Sequence, residues 1–509
     1  MSTDADSCLQ QAMHEHQQGN LYDADLLYAQ TLQLDPDNTR ALRLKGILTR
    51  EQGDIGGSLQ LFNRAIQLAP TDPEPLSEIA LSHMAAGELT EAEHALRQTL
   101  AIAPDSTKAL TNLGALLQQR GHIKEAIAWY RQVLELEPDD IDVRCNMAKA
   151  LSDAGEHEQA LKECETALNQ SDGHPYVLAM QGAVLLDQER YADAREVLIA
   201  ATRQTTDDDM ALVNLALAAY QLGDIAAASD TLTSAMEINP HNARAVADLA
   251  NCQMAADNIP AAISLCEHFL KLHPGERLVV GAYALALHNA GNEAAASDLT
   301  DCDRLLQTYD IALPAGFNGL TDFNQALADR VRNDPSLLTN PVSKSTFGGD
   351  QTGELDMQAS PGLQALNNTI DELVSDATEA YRQAGLADHP IMAPAGERQT
   401  VRAWGTLLRA GGRQTAHMHP LGWLSGVYYV HIPADMNRQD KQAGWLEFNR
   451  PPKRFHCAKE TPTHRVEPRE GRLILFPSWF WHHTLPFKSA DDRISIAFDV
   501  VPIASLRML

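Results

Sequence analysis

Two pairs of histidines lie in the C-terminal part of the sequence, beside short apolar runs. The first pair is in HMHP, where His417 and His419 flank a methionine, and the second ends the run FPSWFWHH at residues 476–483. Side chains two residues apart on a strand point to the same face, so the first pair could hold one metal ion. His482, 65 residues after His417, could supply a further ligand from a second strand. Imidazole is a common ligand of iron, so this pattern indicates metal chemistry.

A basic residue follows the second pair. Arg493 comes 11 residues after His482 and opens the run RISIAF, in which Ser495 shares its strand face. A guanidinium can bind one carboxylate of a dicarboxylate through two parallel hydrogen bonds, and the serine hydroxyl can add another. The sequence therefore places a candidate acid-binding group after the candidate metal ligands.

Short strands must position these side chains. From about residue 400, the β-branched or aromatic runs VRAWGTLLR, LSGVYYVHIP, GWLEFN, GRLILFP and RISIAFDVVP are separated by Gly, Pro, Asn and Asp. Such a series predicts a sandwich or jelly roll. An amphipathic helix over residues 361–386 precedes it. We therefore place a β-rich domain with an N-terminal helix at 361–509, after a Pro- and Gly-rich connector at 301–360.

The first half of the chain repeats every 34 residues. Three series of positions, each called a comb, are spaced by 34 residues and keep one register without insertion. This regularity is a specific signal of a repeat array. The first comb is Gly19, Gly53, Gly87, Gly121, Gly155, Glu189, Gly223, Asp257 and Gly291. The second is Ala24, Ser58, Ala92, Ala126, Ala160, Ala194, Ala228, Ala262 and Ala296. The third is Pro36, Pro70, Pro104, Pro138, Asp172, Thr206, Pro240 and Pro274.

Each comb has a physical reason. The glycine position ends a first helix, the small residue lets a second helix pack closely on it, and proline closes the unit because it cannot continue a helix. We expect about eight full helical hairpins over residues 5–276 and a partial or capping unit after them, in an array that spans 1–300. Such arrays stack into a superhelix with a concave face suited to a protein or peptide segment.

These motifs resemble two known families. The repeats resemble the tetratricopeptide repeat. HMHP, LSGVYYV, FPSWFWH and RISIAF, in that order, resemble the Fe(II)/2-oxoglutarate-dependent oxygenases over roughly residues 315–503. The combination is more remotely similar to the aspartyl/asparaginyl β-hydroxylases. The resemblance implies an α-helical tetratricopeptide-repeat superhelix followed by an α+β domain with a double-stranded β-helix (jelly-roll) core.

The oxygenase resemblance also implies roles for particular residues. His417 and His482 would be iron ligands, and the pattern FPSW-x-x-H selects His482. Arg493 and Ser495 would hold the far carboxylate of 2-oxoglutarate, with Tyr429 as a second contact. The implied activity uses Fe(II), 2-oxoglutarate and O2 to hydroxylate a C–H bond, and the repeat array would recruit a protein or peptide substrate.

One position departs from the family pattern. The usual ligand set is His-x-Asp/Glu followed by a distant histidine, and His419 stands where the carboxylate would be. His419 could be the third ligand, a water could replace it, or Glu447 in GWLEFN could complete the site. Two other functions also stay open: a tetratricopeptide adaptor with an inactive jelly roll, and a metal-dependent cupin that does not use 2-oxoglutarate.

The composition of the chain limits the classes of partner and the cellular compartment that we expect. The formal net charge of −28 argues against nucleic acid or an anionic membrane surface as partner, because phosphates would be repelled. The seven cysteines are odd in number and form no CxxC pair, which favours a reducing, cytoplasmic compartment. Neither a signal peptide nor an apolar stretch of about 18 residues is visible, so we expect no membrane segment.

Overall fold

The computed structural model describes residues 2–171, 173–205, 207–341, 344–436 and 440–503 of the chain. Asp172 and Thr206 of the proline comb lie outside these ranges.

The first part consists of helix pairs that follow the 34-residue register. The helices are α1 Ser2–Gln17, α2 Leu21–Leu34, α3 Thr39–Glu51, α4 Ile55–Leu68, α5 Glu74–Ala86, α6 Leu89–Ile102, α7 Thr107–Gln119, α8 Ile123–Leu136, α9 Ile141–Asp153, α10 His157–Ser171, α11 Pro175–Asp187, α12 Tyr191–Gln204, α13 Asp209–Gln221, α14 Ile225–Ile238, α15 Ala243–Ala255, α16 Ile259–Leu272, α17 Arg277–Asn289 and α18 Glu293–Thr300.

The glycine comb marks the turn inside each helix pair. All nine of its positions have φ between 57° and 87°, the left-handed region that glycine enters without a steric penalty. Glu189 and Asp257 adopt this conformation too, at φ 57° and 61°, despite their side chains. The alanine comb is buried throughout, so the second helix of each pair packs closely on the first. The predicted repeat array is confirmed, and α17 with α18 forms its ninth, shorter pair.

Contacts divide the chain into two compact units. One includes residues 1–119 and 125–143, and the other includes 120–124 and 144–502. The second unit contains the later repeats from residue 144 of α9 onward and all of the β-structure. None of the described helices is long and apolar enough to cross a membrane.

Antiparallel strands form two sheets in the C-terminal part. The larger sheet has the order β1-β8-β5-β10-β4-β3-β2 and the smaller one β7-β6-β9. The strands are β1 Gln307–Asp310, β2 Leu338–Thr339, β3 Thr346–Gln351, β4 Gln399–Gln414, β5 Leu424–His431, β6 Leu446–Phe448, β7 His464–Val466, β8 Arg472–Pro477, β9 His482–Thr484 and β10 Arg493–Pro502. The two sheets meet through aromatic rings such as Phe448 and Phe476, whose centroids are 4.9 Å apart.

Helices cover the outer face of the larger sheet. They are α20 Leu320–Arg332 and α21 Pro361–Gln383, whereas the short helix α19 Cys302–Leu305 connects α18 to β1. Asn324 of α20 accepts a hydrogen bond from the Tyr428 hydroxyl at 2.6 Å. Tyr428 therefore points outward, and its neighbour Tyr429 points between the sheets.

The segment 301–360, which the sequence suggests is a connector, belongs to the sheet. β1 pairs with β8 from Gln307 to Asp310, and β3 pairs with β4. These strands are short and polar, so they carry no alternating apolar pattern. Pairing with longer neighbours, rather than their own composition, makes them strands.

Candidate functional site

Three histidines converge between the two sheets. Each of His417, His419 and His482 has one ring nitrogen that lies within 4.8 Å of the corresponding nitrogens of the other two. The ring centroids are 4.2 Å apart for His417 and His482, and 5.0 Å apart for His419 and His482. The backbones of His417 and His482 also pair, with N–H to O distances of 3.1 and 2.9 Å. The arrangement brings His419 together with the other two histidines.

A hydrogen bond at Nδ1 fixes each of the three rings. The acceptors are the Thr415 carbonyl at 2.7 Å from His417, the Asp499 carboxylate at 2.5 Å from His419 and the Phe480 carbonyl at 2.9 Å from His482. Because these oxygens only accept, Nδ1 carries a proton in every ring, which leaves Nε2 as the nitrogen that a metal could bind. Ser345 Oγ lies 3.2 Å from His417 Nε2, as a donor to that nitrogen would. Nε2 is therefore the ring atom through which each histidine could bind a metal, and a metal at His417 would replace the contact with Ser345.

Burial keeps the imidazoles of His417 and His482 neutral. It lowers the pKa of His417 to about 3 and the pKa of His482 well below the ordinary value, with the neighbouring histidines adding to the effect. A neutral imidazole is the form that binds a metal, so both ligands are ready at pH 7 without losing a proton.

Glu447 and His483 lie on the other face of the smaller sheet. The register pairs Glu447 with His483 and Phe448 with His482, so the first pair points away from the triad. The Glu447 carboxylate accepts from Arg450 and Arg465, each at 2.6 Å. Its ion pairs turn Glu447 away from the metal-binding face.

A buried carboxylate that the sequence analysis missed, Asp499, holds His419. It accepts hydrogen bonds from His419 Nδ1 and from Ser425 Oγ, the latter at 2.6 Å. Asp499 shares one face of β10 with Arg493 and Ser495 because these positions differ by even numbers. The sequence signal for Asp499 is an acidic residue inside the apolar run RISIAFDVVP, at an even number of positions after Arg493. A carboxylate behind a metal-binding histidine orients the ring and raises its basicity.

A second polar group lies further along the same face of β10. Arg493 is 2% exposed, and its guanidinium carbon is 5.0 Å from the centroid of the Tyr429 ring. Arg493 Nε, Tyr429 Oη and Thr406 Oγ1 are buried with no hydrogen-bond partner among the described residues. Ser495 lies among them, since the register pairs it with Tyr429 on β5 and Thr406 on β4. Thr406 is a further residue that the sequence analysis missed.

Burial works against the charge on Arg493. Desolvation lowers the pKa of its guanidinium, and the described residues provide it with no carboxylate. An uncompensated buried cation is costly, and buried polar atoms without partners add to the cost. The group therefore has the chemistry of a receptor for an anion that presents several acceptor atoms.

Family models match both parts of the chain. Residues 402–499 match the family described as "Putative 2OG-Fe(II) oxygenase". Three models described as tetratricopeptide repeat match residues 9–73, 73–137, 117–184, 179–243 and 219–286. The chain carries tetratricopeptide repeats and, at 402–499, a domain of this oxygenase family.

Among solved structures, the repeat array is similar to tetratricopeptide proteins. A tetratricopeptide repeat protein from Parabacteroides merdae is 14% identical over 50% of this chain and 99% of its own, with a TM-score of 0.44. Yeast Tom70 is 17% identical over 58% of this chain and 66% of its own, with a TM-score of 0.45. No curated protein matches the chain significantly.

The ninth repeat contacts both histidine segments of the oxygenase domain. Arg277 of α17 donates to the carbonyls of Gly422 at 2.7 Å and Leu421 at 3.2 Å, just after HMHP. Gly281 leaves room for the terminal methyl group of Met418, the residue between His417 and His419, so this segment packs directly on α17. The repeat helix therefore restricts where the first two histidines can lie.

The second histidine segment is held from the same repeat. Trp479, three residues before His482, donates its indole N–H to the Leu299 carbonyl of α18 at 2.9 Å. Asn449, which follows β6, donates to the Thr300 carbonyl at 2.9 Å. The ninth repeat thus contacts both segments that carry the three histidines, as well as preceding them in sequence.

Proposed function

We propose that the protein is an Fe(II)- and 2-oxoglutarate-dependent dioxygenase that hydroxylates a polypeptide recruited by its repeat array. One observation carries the proposal: three imidazoles converge, and each is fixed at Nδ1 so that Nε2 is available. His417, His419 and His482 would bind Fe(II) from one side. Three nitrogen ligands would leave room on the ion for 2-oxoglutarate and O2, as oxygen chemistry requires.

The group around Arg493 would bind 2-oxoglutarate by its far carboxylate. The guanidinium would form the paired hydrogen bonds, and the hydroxyls of Tyr429, Thr406 and Ser495 would provide the remaining donors. This binding would satisfy atoms that have no partner otherwise. When bound, Fe(II) and 2-oxoglutarate supply the oxidising chemistry: O2 is consumed, 2-oxoglutarate becomes succinate and CO2, and a C–H bond is hydroxylated.

The remaining residues of the site orient and shield. Asp499 fixes the His419 ring, and the rings of Phe476 and Trp404 lie 4.8 Å from His482 and 5.4 Å from His419. These aromatic rings would exclude bulk water from a bound metal and would strengthen the electrostatic interactions inside the site. The same geometry provides no protein carboxylate as a metal ligand among the described residues, so the site would be a three-histidine variant of the family pattern.

We place the working oxygenase domain at about residue 301 onward instead of 361. β1 lies at one edge of the larger sheet, β3 and β2 lie at the other, and α20 covers its outer face. A fragment starting at 361 would therefore leave β4 and β8 with one neighbouring strand each. The seven free cysteines support a reducing compartment such as the cytoplasm.

Turnover of 2-oxoglutarate tests the proposal. Purified full-length protein should convert 2-oxoglutarate to succinate only with Fe(II), and His482→Ala should abolish this conversion. His431→Ala is the matched control, because His431 lies on the same domain and pairs with Glu470 and Asp491 at the surface. Succinate production that survives in His482→Ala would refute the assignment.

Two measurements separate the alternative functions. Anaerobic addition of 2-oxoglutarate to the Fe(II)-loaded protein should produce a weak visible charge-transfer band, whereas an inactive adaptor would bind no stoichiometric iron. A cupin that does not use 2-oxoglutarate would keep its activity after Arg493 is replaced. Mass spectrometry of a proteome incubated with active protein or with His482→Ala, searched for the gain of one oxygen atom, would identify the substrate.

A further inference from the structure

A lysine lies next to the metal-binding side of the first histidine segment. Ser345, the residue after Lys344, accepts a hydrogen bond at its carbonyl from the Thr415 N–H at 2.8 Å. Its hydroxyl lies 3.2 Å from His417 Nε2. The Thr415 carbonyl in turn accepts the hydrogen bond that fixes the His417 ring. Ser345 therefore attaches Lys344 to the side of His417 from which a metal would bind.

Charged groups from two elements surround this lysine. The Lys344 ammonium interacts electrostatically with Lys149 and Asp153, both on α9 of the repeat array. It also interacts with Arg402 and Asp499, which are direct partners on the neighbouring strands β4 and β10. All of these residues belong to the second unit. The ammonium therefore lies between α9 and the sheet whose carboxylate holds the triad.

Lys344 is open to solvent and enclosed by protein at the same time. The residue is exposed. Desolvation nevertheless lowers the pKa of its ammonium. A lysine on a convex surface would keep its ordinary pKa, because water would surround the charged group. The combination indicates a side chain that projects into an open cleft. A polypeptide that reaches the triad from the direction of α9 would pass this side chain.

The charged groups around Lys344 are already bound to other residues. These contacts are Lys149 with Asp153 at 2.5 Å, Arg402 with Glu354 at 2.6 Å, and Asp499 with His419 at 2.5 Å and Ser425 at 2.6 Å. The Lys344 ammonium itself has neither a hydrogen bond nor an ion pair within the part of the chain that the structure describes. Lys344 is therefore an unpaired cation in the cleft, in a chain whose net charge is −28.

An unpaired cation that is enclosed by protein favours an anionic ligand. A carboxylate beside the ammonium would offset the cost of its desolvation, and the ammonium provides three hydrogen-bond donors. The net negative charge of the chain repels an acidic ligand at long range. Salt at physiological concentration screens interactions between exposed charges more than about 8 Å apart. The contacts inside the cleft therefore decide which ligand binds there.

We propose that Lys344 selects the polypeptide that enters this cleft, by binding the carboxylate of one of its aspartate or glutamate side chains. The bound side chain need not belong to the residue that is hydroxylated. Naming this polypeptide as the substrate rests on the proposed function, whereas the binding of a carboxylate by Lys344 does not. Binding can therefore be measured without iron and without 2-oxoglutarate.

Two pools of fluorescent nonapeptides test the proposal on the full-length, metal-free protein. Both pools have blocked ends and carry mixtures of glycine, alanine, serine and leucine around a central residue. That residue is aspartate or glutamate in the acidic pool, and asparagine or glutamine in the neutral pool. Wild type should bind the acidic pool at least about tenfold more tightly in an anisotropy titration, because hydrogen bonds to charged groups are the strong ones. Lys344→Gln should bind both pools equally.

Charge reversal separates recognition from damage to the fold. Lys344→Glu should prefer a third pool, with lysine or arginine at the central position, over the acidic pool. Added salt should narrow this preference and that of wild type. Lys488→Gln is the matched control, because Lys488 is an exposed lysine of the same domain. This control should keep the wild-type preference for the acidic pool.

Three results would overturn the proposal. The first is that wild type does not distinguish the acidic pool from the neutral pool, which includes binding neither of them. The second is an acidic preference that persists in Lys344→Gln. The third is that Lys344→Glu does not come to prefer the basic pool over the acidic one. Succinate production is measured separately, so a failure of the oxygenase assignment and a failure of this binding site give different results.

Discussion

Arg493→Met is expected to stabilise the ligand-free protein while removing its response to 2-oxoglutarate. Wild-type Arg493 is 2% exposed, has no carboxylate partner among the described residues and leaves Nε without a hydrogen bond. Methionine has a similar length and fills irregular space without a charge. A residue kept for ligand binding at the expense of stability should behave in this way.

The expected size of the effect follows from two opposing terms. Replacing buried ionic groups with apolar side chains of similar volume commonly stabilises a protein by about 1–4 kcal/mol. The contact between the Arg493 guanidinium and the Tyr429 ring, at 5.0 Å, would be lost. Such a contact stabilises by about 1–2 kcal/mol when it is desolvated. The midpoints of these two ranges, about 2.5 and about 1.5 kcal/mol, differ by about 1 kcal/mol. The free energy of unfolding should therefore rise by about 1 kcal/mol, and Tm by about 2–4 °C.

Thermal unfolding with and without 2-oxoglutarate measures both halves of the prediction. At about 100 times its Kd, the ligand should stabilise metal-loaded wild type by about 2.7 kcal/mol and should not shift Arg493→Met. Arg472→Met is the matched control, because Arg472 on β8 binds Asp310 through both carboxylate oxygens, at 2.8 and 3.0 Å. The control should lose stability and keep the ligand response. If Arg493→Met proved less stable than wild type, Arg493 would have a structural role and the reasoning would be refuted.

Two further predictions concern the triad. Asp499→Ala should weaken Co(II) binding by about 10–100-fold, because His419 loses the acceptor that orients its ring. Anaerobic calorimetry measures this affinity, and Asp491→Ala, at the surface, is the control. An unchanged affinity in Asp499→Ala would contradict the proposed role of Asp499 in orienting His419. Acid should destabilise the metal-free protein, because burial lowers the folded-state pKa of His417 to about 3 and depresses the pKa of His482 as well. Below the unfolded pKa of about 6.5 the unfolded chain binds more protons, so stability falls toward pH 3 by up to about 1.4 kcal/mol per pH unit for each group. Thermal unfolding of wild type and His417→Gln between pH 7 and 5 should show a shallower slope for the variant, and equal slopes would count against this assignment.

The repeat array could be predicted from the sequence because each of its turns has the same local requirement. The glycine comb recurs every 34 residues, and the structure has a left-handed φ at every one of its positions. Even Glu189 and Asp257, which lack the residue type, keep the conformation, since their neighbours in the register fix the turn. In the array, local residue preferences and tertiary packing favour the same conformation, so the 34-residue period is sufficient to predict the fold.

The sequence predicts the position of a site residue only where the two-residue period of a strand decides which face its side chain occupies. That period places Arg493, Ser495 and Asp499 on one face of β10, yet an acid in an apolar run gives no sign of which histidine it meets. Glu447 stayed an alternative in the sequence because its face depends on how β6 pairs with β9. A shift by one residue would have exchanged Glu447 and Phe448. Register between distant strands is a tertiary property, which a single sequence does not specify locally.

The ninth repeat makes the boundary between the two parts of this chain a shared structural element. Arg277 and Gly281 of α17 restrict the HMHP segment, and the Leu299 carbonyl of α18 anchors Trp479 beside His482. A cut at residue 300 would separate these groups from the loops that they hold. Exchange of the array for that of another protein would therefore have to retain everything from residue 277 onward. Only upstream of that helix could repeats be exchanged without disturbing the contacts that hold the two histidine segments.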